Sequence, residues 1–167
     1  KIDSTAYLPV QDFGNAFSVF VAQNHGADNR ERIRKGVKSA VLVCAAFCII
    51  ISLAVCLFAE PLMKIFIDSN ETAVIAVGAE YLKIEGAFYM GIGILFLLYG
   101  YFRAVEKPGI SVVLTVASLG TRVALAYALS ALPILGVRGI WMSVPIGWVI
   151  ADLVGIMLYI KGRKKQP

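Results

Sequence analysis

Five mostly apolar stretches, each near the ~20 residues that a helix needs to cross a bilayer, follow one another along the chain. They cover residues 5–24, 39–59, 81–103, 108–132 and 138–160. Since an α-helix rises about 1.5 Å per residue and the hydrocarbon core is about 30 Å thick, each stretch is long enough to span it. The sequence therefore predicts an all-α, polytopic membrane helix bundle with five transmembrane helices.

The amino-acid composition also indicates that much of the chain lies in a lipid bilayer rather than in water. Apolar residues make up 59% of the 167 residues and charged residues 16%, whereas soluble domains average about 45–50% and about 25%. This excess excludes an ordinary soluble enzyme domain. Cys44, Cys48 and Cys56 all lie in the second stretch and are interpreted as small apolar residues rather than as disulfide partners or metal ligands.

The distribution of Lys and Arg predicts the orientation. Eleven of the sixteen basic residues lie in the link after the first stretch, at the end of the third stretch or in the link that follows it, or after the fifth stretch. Basic residues remain on the cytoplasmic side, so the chain is expected to enter from outside and to end in a basic cytoplasmic tail at residues 161–167. We expect a multi-pass protein of the cytoplasmic (inner) membrane. The net charge of +5 then reflects topology and anionic headgroups and does not indicate nucleic acid.

Ionisable residues inside the stretches indicate function. A charged side chain at the centre of a bilayer costs about 2.5–3.5 kcal/mol on insertion scales, so it faces protein or water. Arg122 and Asp152 are predicted to pair across adjacent antiparallel helices, to line a solvated pathway or, as a third possibility, to snorkel. Asp12 and Glu85 complete the candidates for ion coupling or a buried ion pair.

Helical spacing places further polar residues on shared faces. Ser111, Thr115, Ser118 and Arg122 are spaced by three or four residues and so share one face of the fourth stretch. Such faces are explained either by a polar, aromatic substrate cavity or by close helix packing. Aromatic rings at the third stretch suit a flat cation through cation–π attraction. The predicted substrate-pathway residues are Gln11, Asn15, Tyr89, Phe96, Tyr99, Arg122 and Trp148.

Catalytic and metal-binding patterns are absent from the sequence. His25 is the single histidine, and no CxxC, HExxH, G-x-S-x-G or P-loop pattern occurs. We expect a protein that is not an enzyme, with no catalytic or metal-binding residues and no cofactor. Because the chain begins at Lys1, we also expect it to be part of a longer protein.

Several short motifs occur in a characteristic order. Residues 23–36 read QNHGADNRERIRKG, followed by YLKI at 81–84, GYFR at 100–103, EKP at 106–108 and GVRGIW at 136–141. Together they resemble the multidrug and toxic compound extrusion family across essentially the whole chain. One departure concerns coupling, because some branches carry a carboxylate in the third of these spans, where residues 90–97 contain none.

The resemblance implies the last five spans of a two-lobed, twelve-span transporter, with the missing amino-terminal half of the same protein as partner. Such a transporter is a secondary antiporter that exports small organic, cationic or amphipathic compounds by alternating access, with protons or sodium as the coupling ion. Two alternatives stay open. One is a flippase for lipid-linked oligosaccharide or peptidoglycan precursors, with Arg122 as a phosphate ligand, and the other is a non-transporting five-span membrane subunit.

Overall fold

The computed structural model describes residues 2–164, and the side chains of residues 2–162. Its helices are α1 (Ile2–Gly26), α2 (Arg30–Leu57), α3 (Ala59–Lys64), α4 (Thr72–Gly86), α5 (Tyr89–Ala104), α6 (Pro108–Ser130) and α7 (Val137–Lys164). No strand occurs within this described part of the chain. The predicted all-α helix bundle is confirmed. Residues 165–167 of the predicted tail lie outside the described residues.

Three helices, α2, α6 and α7, are long and apolar enough to cross a membrane. A fourth span results if α4 and α5, which bend by 49° at their junction, are taken together. The 25 residues of α1 also have sufficient length, but Gln11, Asp12 and Asn15 interrupt its apolar residues, and it is not among these candidates. The predicted total of five spans therefore stays a prediction.

The third predicted span is not one straight helix. It breaks at Ala87 and Phe88, between α4 and α5. The Phe88 N–H donates to the Glu85 carbonyl at 3.1 Å, and the Gly91 N–H donates to the Phe88 carbonyl at 2.8 Å. These short-range hydrogen bonds satisfy backbone groups that a helix end leaves without partners. The break places Glu85 in the last turn of α4 and Tyr89 at the start of α5.

Close backbone approaches join α5 to its neighbours. A Cβ added at Gly100 would lie 2.5 Å from the Gly14 carbonyl oxygen of α1, and one at Gly93 would lie 2.8 Å from the sulfurs of Cys44 and Cys48 of α2. Helix α5 also contacts α6 and α7, and nine of its residues are buried. Small residues allow this proximity, as is common between membrane helices. Helix α5 is therefore the central element of the bundle.

Helices α6 and α7 form an antiparallel pair. A Cβ at Gly147 would lie 2.8 Å from the Ser118 carbonyl oxygen and 3.4 Å from the Arg122 Cβ. At Gly139 the nearest neighbour is Leu129, and at Gly155 the nearest α6 residue is Leu114. These three contacts fix the register, in which Arg122 lies at the level of Gly147.

Candidate functional site

Glu85 is the most buried of the described acidic side chains. It is 1% exposed, and neither carboxylate oxygen has a hydrogen-bond partner. Asp3 of α1 and Arg122 of α6 are the charged groups close enough to act on it electrostatically. Because a buried carboxyl group without hydrogen bonds is costly, binding of a proton or a cation would stabilise this position.

Asp3 and Tyr89 link α1 to the helix break. The Tyr89 hydroxyl donates to the Asp3 carboxylate at 2.7 Å, and the Tyr89 side chain is 1% exposed. Tyr81 of α4 lies within electrostatic range of Asp3, Glu85 and Arg122. We refer to Asp3, Tyr81, Glu85, Tyr89 and Arg122 as the Glu85 cluster. Its residues come from four helices: α1, α4, α5 and α6.

Replacing Tyr89 by Phe is expected to destabilise this junction. The variant loses the hydroxyl that donates to Asp3 and leaves a half-buried carboxylate with one hydrogen bond fewer, at a cost of about 1 kcal/mol. Thermal unfolding of the full-length protein in detergent measures the effect as a lower midpoint temperature. Tyr127→Phe is the matched control, because the Tyr127 side chain is 78% exposed. Equal midpoints for the two variants would contradict the expected role of the hydrogen bond.

Asp152 is the second buried carboxyl group. It is 6% exposed, and its Oδ1 has no hydrogen-bond partner. It faces α5 at Gly91, where an added Cβ would lie 3.8 Å from the Asp152 Oδ2 and 3.3 Å from the Trp148 Cβ. The sequence-predicted Trp148 is itself buried. Asp152 and Trp148 therefore belong to the interface between α5 and α7.

The ion pair predicted between Arg122 and Asp152 is not present among the described residues. Arg122 lies at the level of Gly147, so Asp152 is about 7 Å further along α7 at ~1.5 Å per residue. Arg122 lies within electrostatic range of Glu85 and Tyr81 but forms no ion pair with Glu85 among the described residues. The positive side chain and the buried acid of the cluster thus come from α6 and α4.

The predicted aromatic residues of the third stretch separate into two groups. Phe96 and Tyr99 have ring centroids 6.5 Å apart, and Tyr7 of α1 packs 6.2 Å from Phe96. These rings are half-buried, and the Thr115 hydroxyl lies 3.3 Å from the Tyr99 hydroxyl. Tyr89 belongs to the Glu85 cluster instead. Phe96, Tyr99 and Tyr7 therefore form a separate aromatic patch between α1 and α5.

The predicted polar residues of α1 lie along its more exposed side. Asp12 and Asn15 are exposed, and Gln11 is half-buried. The Asn15 Oδ1 accepts a hydrogen bond of 3.0 Å from Arg103 Nη2 at the end of α5. Asp12 and Asn15 therefore lie on the surface of the bundle.

Sequence reasoning did not identify Asp3 or Tyr7 as site residues. Asp3, Tyr7 and Gln11 are spaced by four residues and so share one face of α1. That spacing was the available indication, but Asp3 precedes the first predicted stretch. Within residues 2–164, no group of three or more His, Cys, Asp or Glu side chains is placed to hold a metal ion.

One family model and several known proteins match this chain. The MatE family model matches residues 1–128. A probable multidrug resistance protein of Bacillus subtilis (strain 168), YpnP, is 28% identical over 99% of this chain and 36% of its own length. The probable multidrug resistance protein NorM of Thermotoga maritima is 20% identical over 98% of this chain and 35% of its own length.

A protein of Shewanella oneidensis named FAD transporter is 26% identical over 98% of this chain and 35% of its own length. The chain thus spans 35–36% of the length of these relatives. No solved structure gives a significant match.

Proposed function

Because the chain belongs to the multidrug and toxic compound extrusion (MatE) family, we propose that it acts as the carboxyl-terminal part of a secondary antiporter. The transporter exports small cationic or amphipathic compounds across the cytoplasmic membrane in exchange for protons or sodium, by alternating access. Its role is transport rather than catalysis. The amino-terminal partner half completes the substrate pathway, and the carboxyl terminus is cytoplasmic.

The observation that carries this proposal is the unpartnered carboxyl group of Glu85. A proton or sodium ion bound at Glu85 removes the cost of a buried, unsolvated carboxylate. Asp3 and Tyr81 also line an open cavity of about 400 Å³. This cavity supports an access route for the ion to the Glu85 cluster.

Ion binding at the Glu85 cluster is coupled to helix movement in this proposal. The cluster lies at the 49° bend between α4 and α5, and Tyr89 connects the bend to α1 through Asp3. A change of charge at Glu85 alters its electrostatic interactions with Asp3 and Arg122. These three side chains belong to three different helices. The aromatic patch of Tyr7, Phe96 and Tyr99 is proposed to contact the substrate through cation–π attraction.

Reconstitution of the full-length protein in liposomes tests the function. We expect a pH or sodium gradient to drive ethidium transport against its own concentration gradient, and collapse of the coupling gradient to stop it. Vesicles without the protein are the control. Absence of ethidium flux under both gradients would overturn the proposal for this substrate class.

A second candidate is export of an anionic compound, favoured by Arg122 and by the similarity to the protein named FAD transporter. Arginine binds a diphosphate through a planar, bidentate fork that lysine does not provide. The alternatives of a lipid-linked precursor flippase and of a five-span subunit have no counterpart among the relatives described above.

Substitution of Arg122 separates the two candidates. We expect Arg122→Ala to lower ethidium export several-fold, because the cluster loses its positive charge, and Arg122→Lys to retain most of it, because the charge remains. Transport of ethidium and of FAD is measured for both variants in the same vesicles. The anionic candidate would instead be supported if the unaltered protein transports FAD and the Arg122→Lys variant does not.

A further inference from the structure

A cavity of about 1180 Å³ lies at the basic end of the bundle. Its walls come from the end of α1, the start of α2, the end of α5, the residues around the start of α6 and the end of α7. We refer to it as the basic cavity. None of the predicted substrate-pathway residues lines it, so it is separate from the Glu85 cluster and from the aromatic patch.

Positive charge in the basic cavity exceeds negative charge. Six Lys or Arg side chains line it together with one carboxylate, Glu31. Lys35 pairs with Glu31 at 2.7 Å, and Arg30 pairs with Asp28 at 3.2 Å. Four of the six form no ion pair with a described carboxylate: Arg34, Lys38, Lys107 and Lys161. Like charges that converge from α2, α6 and α7 repel one another, and an anion between them would relieve that repulsion.

The remaining wall of the basic cavity is apolar and aromatic. Ile33 and Phe102 are buried side chains in this wall, and Leu158 of α7 contributes to it. Tyr101 and Tyr159 stack edge to face with ring centroids 4.9 Å apart. The cavity therefore presents a charged region and an apolar region to the same occupant.

The position of the basic cavity relates it to the membrane surface. Lys107 immediately precedes α6, and Lys161 lies in the last turns of α7, both of which are long and apolar enough to span a membrane. Basic residues at such helix ends lie at the depth of lipid headgroups. An anionic amphiphile at that depth meets both regions of the cavity.

We propose that the basic cavity binds an anionic phospholipid of the surrounding bilayer. The headgroup phosphate lies among Arg34, Lys38, Lys107 and Lys161, and an acyl chain covers the apolar wall near Phe102 and Leu158. A soluble phosphate compound would use the same cations but would leave the apolar wall unoccupied. This proposal does not depend on which substrate the transporter exports.

Native mass spectrometry of the full-length protein tests the site. The protein is released from mixed micelles that contain equal amounts of phosphatidylglycerol and phosphatidylcholine. We expect one phosphatidylglycerol to be retained preferentially, and Arg34→Gln/Lys107→Gln to weaken its binding by about tenfold or more, since each cation near an anionic headgroup contributes about 1 kcal/mol. The matched control is Lys64→Gln/Lys83→Gln, which removes two exposed charges outside the cavity.

Each outcome decides the proposal. Equal retention of the two lipids by the unaltered protein would overturn it without reference to any variant, and so would an equal effect of the two double substitutions. Inorganic phosphate is added in a further arm. Phosphatidylglycerol that stays bound in excess phosphate supports a lipid site, whereas its displacement would identify a site for soluble anions.

Discussion

Replacing Gly100 by Leu is expected to prevent assembly of the helix bundle. A Cβ at this position would lie 2.5 Å from the carbonyl oxygen of Gly14 and 3.5 Å from the Ser18 Cβ. The nearest atom belongs to the backbone of α1 and not to a flexible side chain, so the two helices must separate. Overpacking of this kind costs about 1–3 kcal/mol even where side chains can adjust, and we expect a larger loss here.

The amount of monodisperse full-length protein recovered in detergent, together with its midpoint of thermal unfolding, measures the effect of Gly100→Leu. Gly120→Leu is the matched control, because Gly120 lies within α6 and an added Cβ would meet nothing within 4 Å. We expect near-normal recovery of the Gly120 variant and little or none of the Gly100 variant. Equal recovery of both would show that the contact between α1 and α5 does not limit assembly.

The extents of the last two helices could be predicted closely from the sequence. Hydropathy predicts a fourth apolar stretch at 108–132, where the structure has the helix Pro108–Ser130, and a fifth at 138–160, where it has the helix Val137–Lys164. Pro108 begins α6 because the first helical turn needs no N–H from that residue. Local chemistry therefore defines these boundaries.

The break between α4 and α5 could not be predicted in the same way. Ala87 and Phe88 are apolar and carry no proline, so hydropathy continues across the junction without interruption. The feature that distinguishes this junction is a tertiary contact. The Tyr89 hydroxyl donates a hydrogen bond to Asp3, which lies 86 residues earlier in the chain. Hydropathy and residue spacing within a short stretch of sequence cannot indicate a contact between residues so far apart in the chain. The role of Asp3 was not predicted for the same reason.

The register of a helix pair is another property that the sequence does not specify. Depth along the helices suggested that Arg122 and Asp152 meet, but Gly147 fits against Ser118 and Arg122 and sets Asp152 at a different level. The close approach of two backbones at a glycine determines which side chains face each other. Consequently the sequence identified Glu85 and Arg122 as ionisable candidates, but only the structure shows that Arg122 is within electrostatic range of Glu85.

Replacing Glu85 by Gln is expected to uncouple export from the ion gradient. Gln has nearly the same shape as Glu, but it neither takes up a proton nor supplies a negative charge for sodium. We expect gradient-driven ethidium transport by the full-length protein to fall by about tenfold or more, the effect of ~1.4 kcal/mol on a rate. Ethidium binding in detergent should remain, since the aromatic patch of Tyr7, Phe96 and Tyr99 is a separate group of residues. Glu60→Gln is the matched control, because Glu60 is an exposed acid on α3 outside the Glu85 cluster.

Asp152→Asn shows whether the effect is specific to the Glu85 cluster. Asp152 is also buried with an unpartnered oxygen, but it belongs to the interface between α5 and α7 and not to the Glu85 cluster. If Glu85 is the coupling acid, Asp152→Asn retains a transport rate that still responds to the gradient, while Glu85→Gln does not. If the Glu85 variant keeps its coupling and the Asp152 variant loses it, the ion site lies instead at the interface of α5 and α7. Unchanged coupling in both would exclude the two buried described acids and leave the half-buried Asp3, the exposed Asp12 or an acid elsewhere in the full-length protein as the coupling group.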